Sequence, residues 1–296
     1  MAEDQDQWAR WVLRQRDFND ALRQNGAVAP LDAFRDGVLE RAAVAAGDVL
    51  LDVGCGAGLI GFAALDLVGA GGQVVFSDVS ADLLDACRRR AAEDGVLDRC
   101  RFIQASAEDL RSIDDASVDV VTTRSVLIYV RDKATAFAEF FRVLRPGGRL
   151  SIFEPINRFL VDHGPHRMFG LPESPVDDLL RKISLVYHDA GSSTAAQTMV
   201  DFDERDLLAW ADAAGFDSVE LDYRAELRAP ADPIVDWEGL KRTAPNPLAP
   251  TYGEAIAGVL TGDEQGRLDA YMQSLAEAGG PTRRTLAMVF LRAERP

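Results

Sequence analysis

The chain predicts an open α/β sheet, and three features carry that reading. From Asp48 to Pro155 short apolar runs alternate with stretches of helical periodicity, the pattern of parallel strands joined by crossover helices. The first run, VLLDV, feeds directly into a turn containing Gly54, Gly56 and Gly58, as a strand entering a helix over a bound ligand does. The last run, TLAMVFLRA at 285–293, is apolar on both faces. It therefore belongs inside the sheet, beside an earlier strand, although it comes last in the chain.

The elements follow in order. Trp8, Trp11, Val12, Gln15, Phe18 and Leu22 recur at helical spacing, so residues 6–24 read as an amphipathic helix with an aromatic stripe. The stripe can pack as core, fold over a ligand cleft, or do both. A second helix spans about 31–45 and ends before Gly47. Strands at VLLDV, QVVFSD, RFIQA, VDVVTT and GRLSIFEP are separated by helical patterns such as SADLLDACRRRAAEDG and DKATAFAEFFRVLRPGG. Residues 156–200 interrupt this rhythm with prolines, all three histidines and a helix at 176–187. DFDERDLLAWADAAGF resumes it, Asp203 capping a helix that Gly215 ends. SVELDYRAEL then alternates, with Val219, Leu221, Tyr223 and Leu227 on one face, as a half-exposed edge strand does. Residues 230–282 insert two or three helices, one opened by a Thr261 and Glu264 capping box. This insertion reads as a lid, a partner surface or a layer covering the sheet. The domain plan is thus an N-terminal helical segment (1–47), a ligand-binding core (48–155), a substrate-side insertion (156–200) and the rest of the sheet (201–296).

Composition bounds the function. The 296 residues carry a formal charge of -16, from 48 acidic against 32 Lys and Arg side chains. That balance argues against nucleic acid as a partner, because phosphate binding needs clustered cations. Cys55, Cys87 and Cys100 form neither a CxxC pair nor an even set, so buried reduced thiols are expected rather than disulfides or a metal site. The acidic start MAEDQDQWARW lacks the order of a secretion signal and no run of eighteen uncharged apolar residues occurs. The expected setting is the cytoplasm, away from the membrane.

Asp52 and Asp78 narrow the ligand. Where a dinucleotide fingerprint has its third glycine this chain has Leu59, and Asp52 stands just before the first glycine. A carboxylate there repels a pyrophosphate and suits an ammonium or sulfonium. Asp78, at the end of the second strand, is placed to accept from both hydroxyls of an unphosphorylated ribose. S-adenosylmethionine satisfies both acids.

The chain resembles the class I S-adenosylmethionine-dependent methyltransferases, in particular their small-molecule branch that includes quinone and natural-product methylases. LLDVGCGAG, FSDVSADLLDAC, FIQASAEDL, the stretch from SVDVVTTRS to SIFEP, and DLLAWADAAGF stand in family order. The resemblance implies a Rossmann-like doubly wound sheet of seven strands, mostly parallel with an antiparallel last strand, with the helical insertions as a cap. It also implies a cofactor set. Asp52, Gly54, Cys55, Gly56 and Gly58 hold the methionine end; Asp78 and Val79 hold the ribose; Ser106, Ala107 and Glu108 flank the adenine; Arg124 and Ser125 lie beneath the sulfonium. Ser106 stands where relatives often carry an acid, and Tyr129 occupies a histidine position.

Methyl transfer to a small organic acceptor needs chiefly positioning and exclusion of water, with a base only where the acceptor must lose a proton. His163 and His166, in DHGPH, are the candidate bases, and Tyr129 and Glu154, at strand ends, are further candidate catalytic groups, although loop histidines also serve as plain surface residues. The acceptor atom, oxygen, nitrogen or carbon, stays open. So does the alternative of a non-methylating cofactor-binding protein, a scaffold or a cyclase. The helical insertion is consistent with a homodimer.

Overall fold

The structure, a computed structural model, describes residues 5–16, 31–163, 167–191 and 197–296, with the side chains of 188–191 outside the description. At the N-terminus α1 (Gln7–Arg10) runs into a π-helical turn, Trp11–Gln15. The remainder of the expected helix to residue 24, including Phe18 and Leu22, lies outside the described residues. Helix α2 (Leu31–Ala42) stops three residues earlier than its periodicity suggests. Ala43 turns to φ 45°, which no helix accommodates.

Seven strands form one sheet: β1 (Val49–Val53), β2 (Gln73–Asp78), β3 (Cys100–Gln104), β4 (Val118–Arg124), β5 (Leu144–Pro155), β6 (Asp217–Ala231) and β7 (Thr282–Glu294). Their order is β3-β2-β1-β4-β5-β7-β6. β1 to β5 pair in parallel, and β7 is antiparallel to both β5 and β6. The last strand thus slots inside the sheet as its two apolar faces require. Crossover helices α3 (Leu59–Val68), α4 (Ala81–Glu93) and α5 (Lys133–Val143) cover the faces. On one face α2, α3 and α4 bury Val38, Leu39, Ile60, Leu65 and Leu84 against Leu50, Val74 and Phe76. On the other, α5 and α8 (Glu204–Ala214) bury Phe137, Phe140, Leu207 and Ala211 against Leu51, Val121 and Leu150. At about 25 cal/mol per Å² of apolar area removed from water, these two layers dominate the stability of the sheet.

The edge strand departs from its expected face. Val219 and Leu221 are half-buried, but Tyr223 and Leu227 remain 40% and 48% exposed. β6 carries irregularities in its pairing between Asp217 and Glu220 and between Glu226 and Ala229, and Arg228 sits at φ 52°. Such bulges bend an edge strand and end its regular alternation.

Two insertions far apart in sequence make one cap. After α6 (Asn157–His163) comes α7 (Asp177–Gly191), and beyond β6 come α9 (Trp237–Lys241), α10 (Tyr252–Val259) and α11 (Gly262–Ala278). Leu171, Leu179, Ile183, Trp237, Ile256 and Met272 share a third core. The Thr261 capping box opens α11 as its sequence indicates. Gly170 joins this cap to the sheet: at φ 64°, a Cβ there would stand 1.8 Å from the backbone oxygen of Arg283 on β7. Gly170→Ala is therefore expected to lower stability by about 1–3 kcal/mol, the range for overpacking. A thermal melt measures it; an unchanged midpoint shows that the seam yields. Among the described residues no helix is long and apolar enough to cross a membrane.

Candidate functional site

A cavity of about 1040 Å³ opens beyond the carboxyl ends of β1, β2 and β4, where open α/β sheets hold their ligands. Asp52, Gly54, Cys55 and Gly56 line it from the first turn, Asp78 and Val79 from the second strand, and Ser106, Ala107 and Glu108 from the third. Arg124, Ser125 and Tyr129 complete that wall.

The glycines serve two purposes. Gly54, Gly56 and Gly58 all have positive φ, at 64°, 56° and 80°, a region that side chains rarely enter. At Gly54 a Cβ would stand 2.3 Å from Val126, and at Gly58 2.4 Å from Phe62. Gly58 does not line the cavity; it lets the start of α3 pack. Gly56 is different. The nearest atom to its absent Cβ is Val12 Cγ1, at 3.9 Å, so the bare backbone faces the cleft.

The two acids are built into the same turn. Asp78 Oδ2 accepts from Gly56 N at 2.8 Å and Oδ1 from Ser80 N at 2.9 Å. Its burial pushes the carboxyl pKa up against those two donors. Asp52 accepts from Gly61 N at 3.0 Å and from the Thr122 hydroxyl at 3.3 Å. Burial raises Asp52 to about 7, because a carboxylate loses its hydration there. Glu108 is engaged with the N–H of Asp132 at 2.6 Å. This end of the cavity fits S-adenosylmethionine: each oxygen of Asp78 has a lone pair to spare, the backbone at Gly56 is bare, and a nearby cation would favour the ionised form of Asp52.

The other end is mostly apolar, with Arg16, Asn157 and Asn246 as polar members of its lining. Trp8, Trp11 and Val12 cross the opening from the N-terminal segment, and Leu160, Val161, Tyr187, Met199 and Leu248 enclose it from α6 and the cap. Trp11 Nε1 donates to Ala244 O at 3.0 Å, and Ala244 N donates back to Gln15 O at 3.0 Å. Asp6 ties the other end of the strap: its carboxylate accepts from Ser80 Oγ at 2.7 Å and its N–H donates to Asp82 at 2.8 Å. Trp8 meets Tyr129 edge to face at 4.9 Å. Burial, with the charge of Glu154 adding to it, pushes the Tyr129 hydroxyl well above its ordinary pKa, so it keeps its proton at neutral pH.

The structure places His163 away from this wall. His163 is exposed at the end of α6, stacked on Phe159 at 4.6 Å, and does not line the cavity. Its helix does overhang the cavity, through Leu160 and Val161, while the His163 ring packs back on Phe159. His166 lies outside the described residues. Met199, Tyr187 and the 245–249 loop were not legible as site residues, for nothing in their local pattern distinguishes them from core.

Residues 28–162 match the ubiE/COQ5 methyltransferase family model. A ubiquinone/menaquinone biosynthesis C-methyltransferase of Marinomonas is 37% identical over 116 residues, covering 39% of this chain and 46% of that protein. One from Pectobacterium atrosepticum is 32% identical over 176 residues, 57% of this chain and 66% of that protein. The chain thus spans about half the length of the first of these relatives. Among solved structures, YcgJ from Bacillus subtilis aligns at a TM-score of 0.51 and 19% identity, over 90% of this chain and 99% of that one. Phosphoethanolamine N-methyltransferase 2 of Haemonchus contortus, in complex with S-adenosyl-L-methionine, aligns at 0.53 and 17% identity, over 89% of this chain and 52% of that one. These two show a shared fold.

Proposed function

We propose, from the match of residues 28–162 to the ubiE/COQ5 methyltransferase family, that the chain is an S-adenosylmethionine-dependent methyltransferase acting on a small, mostly apolar aromatic acceptor of quinol type, at a ring carbon. One observation carries the reading: a single cavity joins a carboxylate-flanked glycine turn to an aromatic, mostly apolar chamber that, among the described residues, is lined by no carboxylate of its own. The quinol and the ring carbon follow the quinone C-methyltransferases that this chain is similar to.

When bound, the cofactor supplies a methyl group made electrophilic by its sulfonium. The protein's own contribution is placement. Asp78 accepts from the ribose, Asp52 faces the cationic tail, and the Gly56 backbone lets the cofactor approach. Trp8 and Trp11 close over the reacting centre, excluding water that would loosen the alignment. Tyr129, protonated, donates a hydrogen bond to an acceptor oxygen and does not act as the base.

Incubation with labelled S-adenosylmethionine and 1,4-dihydroxynaphthalene tests the proposal. Methylated naphthalenediol with equimolar S-adenosylhomocysteine is the expected result. Conversion of the acceptor without S-adenosylhomocysteine points to a non-methylating reaction. No conversion, with the cofactor bound, removes the naphthoquinol-type acceptor.

A further inference from the structure

Between the two ends of the cavity stands one short turn, residues 126–130, whose backbone is gripped from three directions. Thr198 Oγ1 donates to Ile128 O at 3.0 Å. Lys133 Nζ donates to Val130 O at 2.9 Å and pairs with Asp201 at 2.6 Å. From β5, Glu154 Oε1 accepts from both Val126 N, at 2.8 Å, and Leu127 N, at 2.9 Å.

The turn needs such a grip. Ser125, just before it, is held at φ 55°, a conformation that persists only where its surroundings impose it. Val126 then fills the space left by the missing Cβ of Gly54, and Tyr129 reaches the acceptor chamber against Trp8. A shift of the turn therefore moves the cofactor turn and the acceptor wall together.

Glu154 is an improbable core residue on packing grounds alone. It is wholly buried in the middle of the sheet, and its Oε2 has no hydrogen-bond partner among the described residues. A buried carboxyl is costly, and an apolar side chain would fill the same space. What an apolar side chain could not do is accept these two amides, one part-buried and one buried, which would otherwise lose their acceptor.

We propose that Glu154 is a positioning residue of the transfer site: by holding the amides of Val126 and Leu127 it keeps the cofactor turn and the acceptor wall in fixed register. The assignment rests on the methyltransferase reading above.

Hydrogen exchange and calorimetry test it together. In the wild-type chain the amides of Val126 and Leu127 exchange as slowly as those of β4, although they lie in a turn. Glu154→Met, similar in volume but unable to accept, weakens S-adenosylhomocysteine binding by about tenfold or more, as loss of a hydrogen-bonded anchor does. Glu154→Gln keeps a carbonyl for both amides and restores binding to within about threefold. Ser151→Ala deletes a buried hydroxyl that donates to Val38 O at 2.8 Å on the same strand; it lowers the melting temperature and leaves the affinity unchanged. Rapid exchange at Val126 and Leu127, or Glu154→Met binding as the wild type does, overturns the proposal. Should the wild type itself fail to bind S-adenosylhomocysteine, the cofactor reading falls instead, and the exchange rates alone decide the clamp.

Discussion

Asp78→Ala is expected to lower the affinity for S-adenosylmethionine about 100-fold while the chain stays folded. Two charge-assisted hydrogen bonds to a ribose contribute about 3 kcal/mol together at the low end of their range, and about 2.8 kcal/mol corresponds to a factor of 100. The same carboxylate also holds the turn through Gly56 N and Ser80 N. Its removal leaves Gly56 N without its acceptor at the point where the backbone faces the cleft. Asp78→Asn keeps one acceptor oxygen and should fall between the two. Calorimetric titration with S-adenosylmethionine and then S-adenosylhomocysteine reads the effect directly. Undiminished binding by Asp78→Ala would remove this acid from the cofactor site and leave the bare turn without its ligand.

The second large effect is a dependence of stability on pH that runs against acid denaturation. Asp52 and Glu154 are wholly buried, and burial raises both to about 7. In the unfolded chain each ionises near its ordinary value, about 3.9 for Asp and 4.3 for Glu. Below pH 4 both states carry the proton and the full contribution is present. As pH rises from about 4 to 7 the unfolded chain releases its protons first, so the folded state loses ground, by up to about 1.4 kcal/mol per pH unit per group. Above pH 7 to 8 the folded groups ionise as well and the loss stops. By this linkage Asp52 and Glu154 each lose on the order of 4 kcal/mol across the window. Asp52→Asn and Glu154→Gln abolish the titration at their sites. Each variant should therefore gain stability relative to wild type between pH 4 and 7.5, in denaturant melts at matched pH. A variant curve parallel to wild type would show that the carboxyl in question is ionised in the fold at low pH.

Glu154 and Asp52 also show where sequence reading reaches its limit. Asp52 precedes three glycines at the mouth of a strand, so its placement in the turn follows from five residues, although one of its partners, Thr122, stands 70 positions away. Glu154 ends a strand too, but its two partners, Val126 and Leu127, stand 28 and 27 positions away. No periodicity within either segment announces that contact. The histidines illustrate the converse. DHGPH offers suitable chemistry at a suitable place in the chain, yet His163 stacks on Phe159 four positions earlier and leaves the cavity. A side chain near the end of a helix chooses its direction by what it can pack on, and sequence position alone does not carry that choice.

The amino-acid sequence by itself determined the parallel core, the inward place of the last strand and the acid-flanked glycine turn with Asp78. Each follows from short-range physics: burial on one or two faces of a strand, and the backbone angles that glycine alone adopts readily. Tertiary structure decided the acceptor chamber. Trp11 meets Ala244 across 233 positions, and Leu179 shares a core with Trp237 and Met272. Those residues are ordinary in their local setting, because an apolar side chain in a helix reads the same whether it buries itself in a core or turns toward a ligand. Only the packing of cap and strap on the finished sheet separates the two.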